Sequence, residues 1–349
     1  TTGVVTATIA TTETVTELAT LNADGGTNAL TIVIRSQDAT GATPTQLNTI
    51  NGATSVAVDA SAVTGLASDS IANIKTLLTA GNDTDQFSAN SFSSLATAVV
   101  NDSTLDVSDL NDAITQANSA TGGTTTSFTI DGGITINGGT ASDFTTLLAN
   151  ETASQLAITD QNLTVDDGTI SVANARALSA ATTGTVTGTI TSGTTIAAMV
   201  DGSSGLTETS NAYTITISSG DAEATAANLT SLYGKTSVAV DASAVTQITG
   251  TVAEANIVYA AGASEITGLG NEAVVTTETG LNDGSAEGTV AALNALDNKT
   301  TGIINAGSIT SMTGSLADLL TAYGSNGITG LANETLTVDR KSTRLNSSH

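Results

Sequence analysis

An eleven-residue segment that occurs twice without change limits what this chain can fold into. The residues from Thr54 to Thr64 read Thr-Ser-Val-Ala-Val-Asp-Ala-Ser-Ala-Val-Thr and recur at 236–246. A diverged third copy follows, in which Leu293, Leu296, Lys299, Tyr323 and Asn333-Glu334 match Leu229, Leu232, Lys235, Tyr259 and Asn271-Glu272. Internal copies of this kind indicate duplication and a repeat architecture.

Amphipathic segments recur at a shorter period than these copies. Apolar residues at three- and four-residue spacing predict helix starts near Thr14, Thr45, Asp69, Ser91, Val107, Ala141, Ser171, Thr195, Ala222, Thr251, Ala286 and Ser315. Between them lie β-branched runs with a period of two, which predict strands, as in Phe128–Ile136, Val186–Ile190 and Tyr213–Ile217. The unit is therefore a short helix with one or two strands, roughly 27 residues long.

Units of this size cannot bury their apolar faces alone, but they form a continuous core when they stack side by side. We therefore predict an α/β repeat, a solenoid of about 12 strand-helix coils of roughly 27 residues with short parallel strands. It would form a single elongated domain over residues 1–338, and the diverged stretch 121–220 would hold any seam. The alternative is a chain of small independent β-rich domains, which the small unit disfavours.

The last eleven residues, 339–349, differ from everything before them. They read Asp-Arg-Lys-Ser-Thr-Arg-Leu-Asn-Ser-Ser-His and contain the chain's only histidine. The string matches one reading frame of a widely used sequencing adapter, so we interpret it as a non-native tail on a metagenomic fragment. The chain begins with Thr1 and shows no signal peptide, so we expect a break or a processing point there too.

Composition excludes several classes of function. The 349 residues include 33 acidic and 8 basic ones, for a formal charge of -25, and no cysteine. Disulfides, thiol nucleophiles, zinc sites and imidazole catalysis therefore lack their residues, and we predict a protein that is not an enzyme. The charge disfavours nucleic acid, and no apolar run approaches the roughly 20 residues of a membrane span. The hydrophobic content of 39% is too high for a disordered chain.

Calcium is the cofactor that the acidic residues would suit best, because it prefers clustered oxygen ligands. The candidate ligands fall in four clusters: Asp83 and Asp85; Asp102, Asp106 and Asp109, with Asp112; Asp166 and Asp167; and Asp283 with Glu287. None of the clusters matches an EF-hand loop or a calcium-binding nonapeptide. The alternative interpretation is that these residues form turns and helix caps, with no cofactor at all.

Threonine pairs in the predicted strands suggest a second kind of surface. Thr6-Ala-Thr8, Thr185-Val-Thr187-Gly-Thr189-Ile-Thr191 and Thr214-Ile-Thr216 would each place hydroxyls in a row on one strand face. Such rows resemble the ice-binding faces of some β-solenoid antifreeze proteins. Because the pattern is irregular along this chain, an ordinary solvated strand face is the alternative.

Three segments carry a resemblance to a known class of protein. They are Ile266-Thr-Gly-Leu-Gly-Asn-Glu-Ala-Val-Val275, Leu293-Asn-Ala-Leu-Asp297 and Ile309-Thr-Ser-Met-Thr-Gly-Ser-Leu-Ala-Asp318. They resemble repeats of giant Thr/Ala/Gly-rich acidic surface proteins of bacteria, especially marine cyanobacteria. The resemblance implies a secreted or cell-surface array.

From this resemblance we predict a structural or adhesive repeat segment that is extracellular or at the cell surface. It would act as a spacer, scaffold or self-associating element. Its partners would be neighbouring repeats, other copies and cell-surface components, with no nucleic acid and no membrane insertion. The alternative is a calcium- or ice-binding solenoid module.

Overall fold

A computed structural model describes residues 3–21, 28–122, 125–207, 210–282 and 288–339. Within these ranges the chain is a mixed α/β protein of short helices and short strands, and the strands pair in parallel. The α-helices are α1 Val15–Leu18, α2 Pro44–Gly52, α3 Ile71–Gly81, α4 Val107–Ala120, α5 Ala141–Thr152, α6 Val172–Ala181, α7 Ile196–Val200, α8 Ala226–Tyr233, α9 Val252–Ala260, α10 Val290–Asp297 and α11 Leu316–Gly324.

The first ten strands are β1 Thr6–Thr8, β2 Ala29–Thr31, β3 Gly65–Asp69, β4 Thr97–Val100, β5 Thr104–Asp106, β6 Ser127–Ile130, β7 Thr135–Thr140, β8 Asn162–Ile170, β9 Val186–Ile190 and β10 Ala212–Thr214. The others are β11 Glu223–Thr225, β12 Val240–Asp241, β13 Gln247–Gly250, β14 Ile266–Thr267, β15 Ala273–Thr276, β16 Gly280–Leu281, β17 Ile304–Asn305, β18 Ser311–Gly314, β19 Ile328–Thr329 and β20 Thr335–Val338.

The chain divides into two compact units. The first consists of Thr1–Thr169 and Ala177–Thr187, and the second of Ile170–Arg176 and Gly188–His349. In the first unit, strand β4 lies between β3 and β6, and β7 lies between β5 and β8. In the second unit, one sheet has the order β11-β13-β15-β17-β19 and another has the order β16-β18-β20. Strands inside these sheets therefore pair with strands of the preceding and following turns of chain.

Most helices begin at a threonine whose hydroxyl caps the first turn. Thr43, Thr140 and Thr251 each form a capping box with the residue three positions later. The residue after the cap is usually apolar and buried, as Val252 and Val290 are. This combination of a capping residue and a buried apolar residue recurs along the chain, because each helix needs a capped first turn and an apolar stripe toward the core. Eleven of the twelve predicted helices are confirmed.

The helix predicted to open near Ser91 is wrong. Residues 91–96 form turns instead, and Asn90 and Phe92 adopt left-handed backbone conformations that end any helix there. The three-residue spacing of Phe92 and Leu95 arises because both side chains turn into the core, where the Phe92 ring packs edge-on against Phe87 at 5.1 Å. Apolar spacing alone does not distinguish such a loop from a helix.

Two turns of chain are longer than the rest because each carries an extra strand. Strand β5 is inserted between β4 and α4, and β16 is inserted between β15 and α10. After each insertion, the next turn of chain supplies a partner for the inserted strand as well. Strand β6 pairs with β4, and β7 pairs with the inserted strand β5. The predicted strand Phe128–Ile136 is also two strands, β6 and β7, separated by a turn at 131–134.

The core consists of columns of aliphatic side chains that run across successive strands. In the second unit, Ile248, Val274, Ile304 and Ile328 occupy paired positions on four neighbouring strands, and each is buried. Helix residues such as Leu293 and Leu296 close this core from the other side. Small β-branched and aliphatic residues fill such columns at close-packed density without large rings.

The two units carry the same series of elements. Helices α7, α8, α9 and α10 follow one another at nearly the same spacing as α1, α2, α3 and α4. A short 3₁₀ turn lies at the same place in each series, at Ser36–Asp38 and Ser219–Asp221. The inserted strands β5 and β16 also occupy equivalent places. The duplication seen in the eleven-residue segment therefore extends over most of each unit.

Candidate functional site

The first acidic cluster forms a turn. Asp83 follows helix α3 and accepts hydrogen bonds from the Asp85 backbone N–H and the Gln86 side-chain amide, both at 3.0 Å. The bond from Gln86, followed by that from Asp85, lowers the pKa of Asp83. The Asp85 residue itself is exposed. This cluster is an Asx turn with both of its carboxylates facing solvent.

The second cluster separates into three different contacts. Asp102 accepts from the Ile71 backbone N–H at 2.6 Å, and Asp106 caps its own helix α4 through the Ser108 N–H at 2.8 Å. Asp109 and Asp112 lie on either side of the Lys75 ammonium, at 2.7 and 2.8 Å. Their hydrogen bonds raise the pKa of Lys75.

The third cluster lies at a bulge in the middle of strand β8. Asp166 accepts hydrogen bonds from the backbone N–H groups of Gly138 and Gly139, at 3.0 and 3.2 Å. Asp167 is exposed and pairs in register with Thr140 of β7. The fourth cluster, Asp283 and Glu287, lies outside the described residues, so its assignment as a calcium site stays a prediction. Across the described ranges, no three acidic residues come close enough together to hold a metal ion.

The threonine rows lie on the outward strand face. Thr214 and Thr216 are exposed and alternate with the buried Tyr213 and Ile215. In β9, Val186, Gly188 and Ile190 are buried in the same way, which leaves the threonines between them facing outward. The predicted alternation is therefore confirmed, while ice binding stays a prediction.

The structure shows a recurring contact that the sequence analysis missed. An acidic side chain in one turn of chain accepts a hydrogen bond from the first free amide of the preceding helix. The pairs are Asp38 with Val15 at 3.0 Å, Asp69 with Thr45 at 2.7 Å, Asp102 with Ile71 at 2.6 Å, Asp221 with Ile196 at 3.0 Å and Glu278 with Val252 at 3.1 Å. We call these contacts inter-coil caps, where a coil means one turn of chain, that is, a helix together with the strands before it. Helix starts carry unsatisfied N–H groups and partial positive charge, so each carboxylate stabilises the helix before it.

A sequence signal for these caps exists in retrospect. Asp38, Asp69, Asp102 and Asp221 each stand a few residues before the helix of their own turn of chain. The preceding helix lies one turn of chain earlier, so the pairing could not be read from local spacing. At helix α2 the first residue is Pro44, which has no N–H, and Asp69 binds the amide of Thr45 instead.

A second recurring contact joins the helices to each other. Asparagine at the fifth helical position donates its side-chain amide to a carbonyl in the first turn of the next helix. The pairs are Asn48 with Asn73 at 3.1 Å, Asn111 with Asp143 at 2.9 Å, Asn256 with Ala292 at 2.9 Å and Asn294 with Asp318 at 3.0 Å. Lys75 occupies the same position in α3 and reaches Asp109 of α4. Polar side chains thus specify how each helix lies on the next.

A tyrosine and a glutamate form a third contact, in the second unit. The Tyr259 hydroxyl donates to Glu272 Oε2 at 2.9 Å, and the Gly270 N–H donates to the same oxygen at 2.8 Å. Burial raises the pKa of Tyr259. Tyr323 and Glu334 repeat the contact in the third copy. The matches between these copies were visible in the sequence, but the bond between their members was not.

The cavities of the described residues are open depressions. One of about 340 Å³ is lined by Tyr259, Ile266, Leu269 and Lys299, and the Lys299 ammonium donates to the Asn256 carbonyl at 3.2 Å. None of the described helices is long and apolar enough to cross a membrane. Neither a scan against protein-family models nor searches of curated proteins and of solved structures find a match.

Proposed function

We propose that this chain is a non-enzymatic structural or adhesive repeat segment of a large extracellular bacterial surface protein. It acts as a spacer or scaffold, and its coils stack into a solenoid in which each coil contributes one helix. The observation that carries this proposal is the inter-coil cap. In five helices, the first free backbone amide donates a hydrogen bond to a carboxylate of the following coil. A chain built this way uses its recurring polar contacts for stacking rather than for a reaction centre.

The acidic clusters support the same proposal. Of the candidate calcium ligands within the described ranges, Asp102, Asp106 and Asp166 accept backbone amides, and Asp109 pairs with Lys75. Asp102, Asp109 and Asp166 therefore join one coil to another, while Asp106 caps its own helix. The remaining negative charge keeps such a chain soluble and repels other polyanions.

Small-angle X-ray scattering of the full chain at low concentration tests the proposal. A compact protein of this length has a radius of gyration of about 20 Å. A spacer built as one solenoid predicts a clearly larger value, with a pair-distance distribution that is skewed toward long distances. A symmetric distribution at about 20 Å would contradict the spacer.

A further inference from the structure

The extra strand β16 leaves a strand edge without a partner inside the second unit. The coil that contains β14, β15 and β16 has three strands, whereas the coil after it has two, β17 and β18. These two strands pair with β15 and β16. Strand β14 pairs with β12 on one side and is the last strand of its sheet on the other. The free edge is therefore a consequence of the insertion and not of where the sequence begins or ends.

The backbone groups on this edge are the ones that join neighbouring coils elsewhere. In β12, Ala242 stands two residues after Val240, and its N–H donates to the carbonyl of Thr267 in the next coil at 2.9 Å. Gly268 stands at the same place after Ile266, which pairs with Val240. Among the described residues, none accepts a hydrogen bond from the Gly268 N–H or donates one to the Ile266 carbonyl. A strand edge with a free donor and a free acceptor is a template for a further strand.

The depression of about 340 Å³ described above lies along this edge. Its lining comes from the end of helix α9, from β14 with the turn after it, and from one lysine: Val258, Tyr259, Gly262, Ala263, residues 266–269 and Lys299. After residue 282 the described chain resumes at Gly288, which approaches Val252 at the opposite end of α9. The depression is thus at the other end of α9 from that gap in the described chain.

The first unit contains an equivalent place. Gly81 stands ten residues after the first residue of α3, and Gly262 stands ten residues after the first residue of α9. Phe87 and Ile266 pair with the fifth residue of the two copies of the duplicated eleven-residue segment. The surroundings of Gly81 and Phe87 in the first unit therefore correspond to those of Gly262 and Ile266 in the second.

In the first unit, an aromatic ring fills this place. The Phe92 ring packs edge-on against the Phe87 ring at 5.1 Å, and a Cβ atom added to Gly81 would lie 2.7 Å from it. The loop that carries Phe92, residues 88–96, is three residues longer than the equivalent loop, residues 267–272. The shorter loop contains no aromatic residue. The second unit therefore has an open depression where the first unit has a buried phenylalanine.

One cation faces the depression. The Lys299 ammonium donates to the Asn256 carbonyl at 3.2 Å, and it forms no ion pair with a carboxylate of the described residues. Arg35 and Lys75, by contrast, each pair with an aspartate. The nearby Glu272 carboxylate binds a tyrosine hydroxyl and a backbone N–H instead. A lysine left in this way favours an occupant with an anionic group.

A second folded copy of the chain does not offer the aromatic ring on an extended segment. All four of its phenylalanines are buried: Phe87, Phe92, Phe128 and Phe144. Tyr323 is exposed, but it belongs to helix α11 and its hydroxyl donates to Glu334. The free strand edge, the place for a ring and the unpaired lysine together fit an extended peptide of a different protein.

We propose that the β14 edge and its depression bind an extended peptide segment that carries an aromatic residue with acidic neighbours. The peptide adds a parallel strand to β14. Its residue opposite Thr267 donates its N–H to the Ile266 carbonyl and accepts a hydrogen bond from the Gly268 N–H. The preceding residue, opposite Ile266, places its ring in the depression, and an acidic side chain pairs with Lys299. This site goes beyond the spacer role and does not depend on it, because all of its groups belong to the second unit.

Labelled peptides test the site on the full chain by fluorescence anisotropy. The probe is fluorescein-labelled Thr-Asp-Thr-Phe-Thr-Asp-Thr, in which the two aspartates and the phenylalanine lie on one face of a strand. A second peptide has alanine in place of phenylalanine, and a third has asparagine in place of both aspartates. A fourth is N-methylated on the threonine after the phenylalanine, and a fifth on the phenylalanine itself.

We expect the probe to bind saturably and the alanine peptide to bind about tenfold more weakly or less, because the ring is buried on binding. N-methylation of the threonine after the phenylalanine removes the N–H that the Ile266 carbonyl accepts, so it should weaken binding by about tenfold. N-methylation of the phenylalanine should not, because its N–H points away from β14. This difference would show pairing with the strand edge.

Variants of the chain test the depression and the lysine. Ala263→Phe fills the depression from an exposed position and should weaken binding about tenfold or more, whereas Ala260→Phe, at the exposed last residue of α9 and outside the lining, should leave it unchanged. Lys299→Gln should weaken the probe about threefold and leave the asparagine peptide unaffected. Circular dichroism melts show whether each variant keeps the fold.

The absence of saturable binding up to about 1 mM probe would overturn the proposal. Equal binding of the probe and the alanine peptide would also overturn it, as would binding that a folded Ala263→Phe variant does not weaken. Self-association without peptide, abolished by Ala263→Phe, would assign the depression to a second copy of the chain instead. The scattering experiment tests the spacer separately, so a failure here leaves that proposal standing.

Discussion

Threonine, which occurs 68 times, acts in this protein mainly through its hydroxyl. Besides capping helices, it stands in the turn after a helix and donates to a carbonyl of the preceding coil. Thr54 donates to Leu30 at 2.7 Å, Thr182 to Gln161 at 2.6 Å and Thr300 to Glu272 at 2.9 Å. All three threonines are buried. A buried hydroxyl without a partner is costly, so these bonds tie each turn to the coil before it.

Loss of one inter-coil cap should destabilise the chain measurably. Asp102→Ala leaves the Ile71 amide without its acceptor, and we expect the free energy of unfolding to fall by about 1 kcal/mol, within the usual range for a lost helix cap. Asp85→Ala removes the same charge from an exposed turn and should change the free energy of unfolding by less than about 0.5 kcal/mol. Urea denaturation followed by circular dichroism compares the two. Equal effects would show that Asp102 does not stabilise α3.

Acid should destabilise the fold through carboxylates whose pKa is lowered. The hydrogen bond from Arg35 lowers the pKa of Asp38, the Thr140 hydroxyl lowers that of Asp143, and the Ser243 N–H lowers that of Asp241. A group whose pKa is lower in the folded state stabilises it above the unfolded pKa, about 4, and loses this effect as pH falls through the folded pKa.

The melting temperature should therefore change little between pH 7 and 5 and fall steeply below about pH 4, although the net charge is then smaller. Thermal melts across this range give the test, and Asp38→Asn should flatten the acid side of the profile. A melting temperature that rises continuously down to pH 2 would mean that relief of charge repulsion outweighs the lost caps.

Helices were the most predictable elements, because a capping residue followed by an apolar stripe is a local signal. Ser70 before Ile71 and Ile74, and Ser315 before the α11 stripe, show it clearly. The inserted strands β5 and β16 could not be predicted, because each has only two or three residues and its pairing partner lies a full coil away. The inter-coil caps were missed for the same reason. Local acidic spacing suggested calcium, but it gave no indication that Asp102 and Asp166 accept hydrogen bonds from backbone amides 31 and 28 residues away.

Two asparagines allow the stability contributed by a hydrogen bond between helices to be distinguished from that of a hydrogen bond within one helix. Asn256 and Asn298 both donate to a carbonyl four residues earlier in their helices, but only Asn256 also reaches the next helix, at the Ala292 carbonyl. We expect Asn256→Ala to lower the free energy of unfolding by about 1 kcal/mol more than Asn298→Ala. Chemical denaturation of both variants measures the difference. Similar losses would assign no stability to the bond between helices α9 and α10.

At the scale of the whole molecule, repulsion among the excess acidic residues lowers the free energy of unfolding. With 33 acidic and 8 basic residues, most carboxylates have no cation to pair with. The caps and turns described above give many of them an amide or a hydroxyl instead. Such hydrogen bonds stabilise the charge locally but do not remove the long-range repulsion among carboxylates, which depends on the surrounding ions.

Salt should therefore stabilise the whole chain, and the identity of the cation distinguishes screening from binding. Raising ionic strength from 0.01 to 1 M shortens the screening length from about 30 to about 3 Å, so the melting temperature should rise with sodium chloride. At equal ionic strength, we expect calcium and magnesium to raise it by similar amounts, because the described acidic clusters bind amides and Lys75. A rise with calcium that greatly exceeds the rise with magnesium would instead locate a calcium site. Asp283→Asn and Glu287→Gln would then test the fourth cluster, and Glu265→Gln, at an exposed position outside the candidate clusters, would serve as the control for the lost charge.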